Sequence, residues 1–216
     1  MNAREQVLAS IRAALGREAS GRGAAAAVPP PPPIPQFGDS GLPTAERWQV
    51  FLQRLAAVGA TAHDGTRDGG LMALQSLLAG KPPQRIAHSE APQVLRLRGM
   101  AELAQHQWLP PTAGRAELFA ADLGLCTAQW AIAATGTLVL DAAVETHRLA
   151  SLLPPVHVAL LPASRLLAEL GEVLHLLGDP VSAAVTFITG PSRTADIELQ
   201  LVVGVHGPRE LHVILV

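Results

Sequence analysis

The run Val156-His-Val-Ala-Leu-Leu161 limits what this chain can fold into more than any other stretch. A strand with one wet face alternates polar and apolar residues, whereas a nearly unbroken apolar strand is covered on both faces, as in parallel sheets flanked by helices. Arg85-Ile-Ala-His88 and Leu211 to Val216 predict further strands. Helical patterns lie between them. One runs from Leu42, with Thr44 as cap and Trp48, Phe51, Leu52 and Leu55 on one side, to near Gly59. Gly70 to Leu78, Ser89 through Val94 and Leu97, and Ser164 to Leu177 predict others, the last with an apolar face of Leu166, Leu167, Leu170, Val173, Leu174 and Leu177. Leu123 to Leu140 reads as two strands joined around Ala134-Thr-Gly-Thr137. Strands alternating with helices define an α/β layered domain.

A smaller piece precedes that domain. Val7, Leu8, Ile11 and Leu15 fall on one helical face, and Gly16 follows as a stop. Ser20 to Val28 and the proline run Pro29 to Pro33 then form a flexible and afterwards semi-rigid tether. Residues 1–40 are therefore an amphipathic helix with an Ala/Pro-rich linker, and residues 41–216 the main domain. The helix stripe suits either a partner subunit, its own domain or a second copy.

Composition removes several function classes. With 16 basic and 18 acidic residues the net charge is -2, which leaves no electrostatic footprint for nucleic acid or an anionic membrane. Tyr is absent, so little is offered for base stacking. Cys126 is the single cysteine; it sits among apolar neighbours and reads as a buried small side chain. The chain by itself supplies neither a disulfide nor the thiolates of an iron–sulfur cluster or structural zinc, and no metal site is expected. The first residues mix charge with apolar side chains unlike a signal peptide, and apolar runs are broken too early for membrane insertion, so a cytoplasmic location is expected.

The densest polar chemistry follows a predicted strand at Val185 to Ile188. Gly190 and Pro191 stop that strand, and Ser192, Arg193, Thr194, Asp196 and Glu198 come directly after. Hydroxyls, a guanidinium and freed backbone N–H groups at a strand end form a candidate site for a carboxylate or phosphate. A second reading makes Ser192 or Thr194 the N-cap of a short helix, with Arg193 paired to Asp196 or Glu198. His206-Gly-Pro-Arg209 repeats the chemistry of Gly190-Pro-Ser-Arg193, which favours convergence of His206 and Arg209 on the same place. Thr135, Gly136 and Thr137 form a small bend with two hydroxyls, suited to a ligand or to another backbone. Arg148 and Ser151 precede the strand at Val156 and are suited to reach an anion there, with Arg148 equally suited to hold a loop by bonding backbone carbonyls. His63, His88 and His157 read as structural histidines.

Three blocks stand together: Ala134-Thr-Gly-Thr-Leu-Val-Leu140 with Arg148-Leu-Ala-Ser-Leu-Leu-Pro154, then Ile188-Thr-Gly-Pro-Ser-Arg-Thr-Ala-Asp-Ile-Glu198, and Gly204-Val-His-Gly-Pro-Arg-Glu-Leu-His-Val-Ile-Leu215. In order and content they resemble the LUD domain family, close to the lactate-utilisation protein C type. The resemblance implies a central, largely parallel sheet with flanking helices, like that of ribose-5-phosphate isomerase, glucosamine-6-phosphate deaminase and the CoA transferases. It also implies a part in oxidising L-lactate to pyruvate beside partner proteins that carry iron–sulfur clusters, with no cofactor in this chain. The family usually has Glu where this sequence has Ala134, so a carboxylate acting there as acid, base or nucleophile is missing. The catalytic residues stay unassigned. A stand-alone sugar-phosphate or acyl-transfer enzyme and a small-anion sensor are the alternatives to an accessory subunit.

Overall fold

The computed structural model describes residues 3–14, 43–145, 148–177, 182–195, 201–203 and 207–216. The chain divides into two compact units, Met1–Pro35 and Gln36–Val216. The first contains helix α1 (Ala3–Ala14), on which Val7, Leu8 and Ile11 are exposed. Leu15 and the expected tether lie outside the described residues.

The second unit opens with α2 (Thr44–Ala57), β1 (Thr61–Asp64), α3 (Leu71–Leu78), β2 (Arg85–His88), α4 (Pro92–Arg98), β3 (Gln107–Leu109), α5 (Arg115–Phe119) and β4 (Leu123–Thr127). A hairpin of β5 (Trp130–Ile132) and β6 (Thr137–Asp141) follows, then α6 (Leu149–Leu152), β7 (Val156–Leu161), β8 (Leu166–Leu167) and α7 (Leu170–Leu176). The chain continues through β9 (Val185–Ile188), β10 (Arg193–Ala195), β11 (Leu201–Val203) and β12 (Glu210–Leu215).

Six strands form one parallel sheet in the order β1-β12-β7-β4-β2-β3. As its apolar run requires, β7 is buried along almost its whole length between β12 and β4. One face packs Ile86, Leu125, Val158, Leu160 and Ile214 against Leu74 and Leu78 of α3 and Val94 and Leu97 of α4. The other face packs Cys126, Ala159, Leu161, Leu211 and Val213 against Phe51 and Leu55 of α2. That same cluster includes Ala131, Leu138 and Leu140 from a second, four-stranded sheet ordered β8-β5-β6-β9. Val173 of α7 covers the remaining face of the small sheet through Ile132 and Val139. Among the described residues no helix is long and apolar enough to cross a membrane.

Four expectations need correction. Leu123 to Leu140 holds three strands, since β4 joins the large sheet while β5 and β6 build the small one. Ser164 to Leu177 is not one helix: Leu166–Leu167 pairs in parallel with Ala131–Ile132, and only Leu170–Leu176 is helical. Exposed backbone at the edge of β5 captures the first leucines before a helix can start. Finally, α2 begins at Thr44 after Pro43, and the helix expected from Ser89 begins at Pro92.

Close contact between α6 and the sheet depends on Gly124. A Cβ at that position would collide with the carbonyl oxygen of Ala150 and lie 2.8 Å from its carbonyl carbon, with the Pro154 ring 3.2 Å away. Ala150 is fully buried, so neither partner has room to retreat. Gly124→Ala is therefore expected to lower stability by about 2 kcal/mol, the usual cost of overpacking a core. Urea unfolding checks this as a lowered midpoint at constant slope, and an unchanged midpoint refutes the contact.

Candidate functional site

The two Gly-Pro turns meet. Ser192 N–H donates to the Pro208 carbonyl at 2.8 Å, and a Cβ on Gly207 would lie only 2.9 Å from Ser192 Cβ. Arg209 N–H donates to the Pro155 carbonyl at 2.8 Å, which fixes the second turn beside the start of β7. Ser151 is buried in α6 and donates its hydroxyl to the Arg148 carbonyl at 2.9 Å. Between these elements and the end of β9 lies a cavity of ≈ 240 Å³. Ser151, His157, Thr186, Thr189, Gly190, Ser192, Gly207 and Pro208 line it together with Leu152, Phe187, Ile188 and Leu211.

A chain of hydroxyls runs away from this cavity. Thr189 Oγ1 lies 2.7 Å from Thr137 Oγ1, which lies 2.6 Å from Thr135 Oγ1. The bend between the last two is an approach of two backbones and not of a ligand. Gly136 has φ 66° and a Cβ there would sit 2.6 Å from the Leu55 nitrogen of α2. Of the sequence candidates, then, Thr137 supports the cavity through Thr189, while Gly136 seats the small sheet on α2.

At the inner wall His157 is buried and its Nε2 lies 3.0 Å from Cys126 Sγ. Gly124 stands opposite His157 in the register of β4 and β7, two residues before Cys126, so His157 and Cys126 share one face of the sheet. Burial strips the imidazolium of its hydration and His212 adds repulsion, pushing His157 down to about 4. Burial, then the nearby Glu145 charge, pushes the Cys126 thiol well up. The pair is neutral at ordinary pH, a thiol and an imidazole in place of the thiolate and imidazolium of a reactive cysteine. The buried cysteine agrees with the sequence reading, but its histidine comes from 31 residues away and only strand register reveals it.

The expected guanidinium convergence is not found at this cavity. Arg148, Arg193 and Arg209 are all exposed and none lines it. Arg193 instead donates from Nη2 to the Val58 carbonyl at 2.6 Å, capping the carboxyl end of α2, where helix carbonyls lack intrahelical partners. The helix-cap alternative also falls, because Arg193–Ala195 is an extended strand paired with β11. Thr194 is placed by its backbone in that strand. Asp196, Glu198 and His206 lie outside the described residues. Among the described residues the cavity is lined by hydroxyls and carries no Arg or Lys. Among the described residues no three His, Cys, Asp or Glu side chains gather as metal ligands would.

A doubly covered parallel sheet with a second small sheet on one face, and a polar cavity where their turns meet, defines an α/β layered protein. The chain belongs to the LUD domain family, whose model matches residues 80–216 and so includes every residue of this cavity. It is similar to a "Lactate utilization protein C" of Halalkalibacterium halodurans, with 43% identity over 41% of this chain and 41% of that protein. A protein of the same name from Anoxybacillus flavithermus is 34% identical over 62% of this chain and 64% of its own length. The match thus spans less than two-thirds of either relative. A crystal structure of a DUF162 family protein from Deinococcus radiodurans superposes with a TM-score of 0.61 at 25% identity, over 81% of this chain and 98% of that one.

The His157 environment sets a pH dependence. Its value is about 4 when folded against 6.5 ordinarily, so between these limits the unfolded chain binds the extra proton. Stability is complete above pH 6.5 and is lost as pH falls towards 4, by about 3 kcal/mol from this group. His63, also lowered by burial and then by His212, acts in the same direction. Urea unfolding from about pH 7 to about pH 4.5 should show a shallower decline for His157→Gln than for the unaltered protein. Equal slopes would show that His157 is not held neutral by its surroundings.

Proposed function

We propose that this protein serves lactate utilisation as a subunit without redox chemistry of its own, holding a small carboxylate in the cavity between the two Gly-Pro turns. The observation that carries the reading is that the LUD-matched segment builds the whole cavity, and that proteins named for lactate utilisation are similar to this chain. Thr189 and Ser192 supply hydroxyls to carboxylate oxygens, and the apolar wall of Leu152, Ile188 and Leu211 suits a short hydrocarbon tail. Oxidising lactate to pyruvate releases two electrons, and the single cysteine, Cys126, is buried beside His157. The electrons therefore pass to partner proteins bearing iron–sulfur clusters, with this chain presenting or organising the substrate.

The test is lactate-dependent dye reduction by the iron–sulfur partners, with and without this chain. Activity is expected only in the full mixture. Ser192→Ala should weaken lactate use about ten-fold, equivalent to about 1.4 kcal/mol, with little change in melting temperature. Partners that are fully active alone overturn the proposal.

A further inference from the structure

A second cavity, of ≈ 320 Å³, opens at the carboxyl ends of three neighbouring parallel strands. Thr127 ends β4, Pro92 follows β2, and Pro162 follows β7. The chain leaves β2 for β3 on one side and leaves β4 for β7 on the other, so the crevice lies where the strand order reverses. Open α/β sheets bind ligands at that position.

Two buried polar atoms are orphaned here, one on Trp130 of the lining and one on Glu145 behind Thr127 of the lining. Glu145 is 2% exposed; its Oε1 accepts from Thr127 N–H at 2.8 Å and from the Thr127 hydroxyl, while its Oε2 takes no partner. Gln129 Nε2 donates to Thr127 Oγ1 at 3.0 Å, which leaves the Thr127 hydroxyl proton for Glu145 Oε1 and no donor for Oε2. Trp130 Nε1–H is likewise buried and unpartnered, and Trp130 lines the crevice. Buried polar groups left unpaired cost about 1–3 kcal/mol each, and an acceptor and a donor orphaned together suit a ligand that carries the complementary pair.

We propose that this crevice binds a nucleoside phosphate. A nucleobase offers adjacent N–H donors and ring or carbonyl acceptors in one rigid plane, one for Glu145 Oε2 and one for Trp130 Nε1–H. Ala91, Pro92 and Pro162 are apolar enough to flank the base. Arg165 stands exposed on the lining and, among the described residues, has no carboxylate at ion-pair distance. It takes the phosphate at the rim. Charge decides against a small organic acid here, because its carboxylate would be drawn in beside the buried Glu145. A nucleotide keeps its anion a sugar's length from its base. The site is separate from the hydroxyl-lined cavity and does not depend on the lactate reading.

The test uses the full chain with AMP, GMP and UMP, and with adenosine, ribose 5-phosphate and lactate as comparisons, read by calorimetry and by thermal shift. At least one nucleotide is expected to bind and raise the melting temperature, its nucleoside more weakly, and ribose 5-phosphate and lactate not in competition with it. Arg165→Ala should weaken the nucleotide about ten-fold without weakening the nucleoside. Trp130→Phe should weaken both, and Glu145→Gln, which keeps the size of the side chain, should change which base is preferred. Absence of nucleotide binding at about millimolar concentration, equal binding of ribose 5-phosphate, or indifference to Arg165→Ala overturns the proposal.

Discussion

Parallel pairing of β12 between β1 and β7 is the constraint from which the rest of the architecture follows, because it ties Thr61–Asp64 to Leu161 through the middle of the sheet. Strands so far apart in sequence meet only when most of the chain is already in place. The residues just before β12 are carried with it, and Gly207 and Pro208 arrive against Ser192 for that reason. The cavity is therefore a product of sheet order: the turn after β9 and the turn before β12 have no local reason to meet.

Helix α2 couples the two sheets. Phe51 and Leu55 pack into the cluster shared by both, the Leu55 backbone receives Gly136 of the hairpin, and the Val58 carbonyl receives Arg193. Thr135, Thr137 and Thr189 link the hairpin tip to the cavity through hydroxyls at hydrogen-bond distance. Ala134, where the resemblance implied a glutamate, is exposed between β5 and β6 and is not on the cavity lining.

Much of the scaffold was legible because it rests on local pattern. Arg85–His88, Val156–Leu161 and α3 fall where apolar runs and periodicity put them. The leucine run after Ser164 misled because apolar spacing is the same whether a segment coils or pairs, and the open edge of β5 decided between them. The repeated chemistry of the two Gly-Pro turns pointed to convergence of Arg209; the backbones meet, but Arg209 does not line the cavity. The destination of Arg193 was not, since Val58 lies 135 residues earlier. Cys126 with His157, and Thr127 with Glu145, are pairs made by strand register and a returning loop, and no short motif announces either.

β1 lies before residue 80, where the family likeness begins, yet it shields one long side of β12. A fragment cut at that boundary would leave the amides and carbonyls of Leu211 to Leu215 open along a flat apolar ribbon, the kind of template on which chains stack into aggregates. The segment that defines kinship is thus smaller than the folding unit, whose sheet is completed only by a strand from residues before 80.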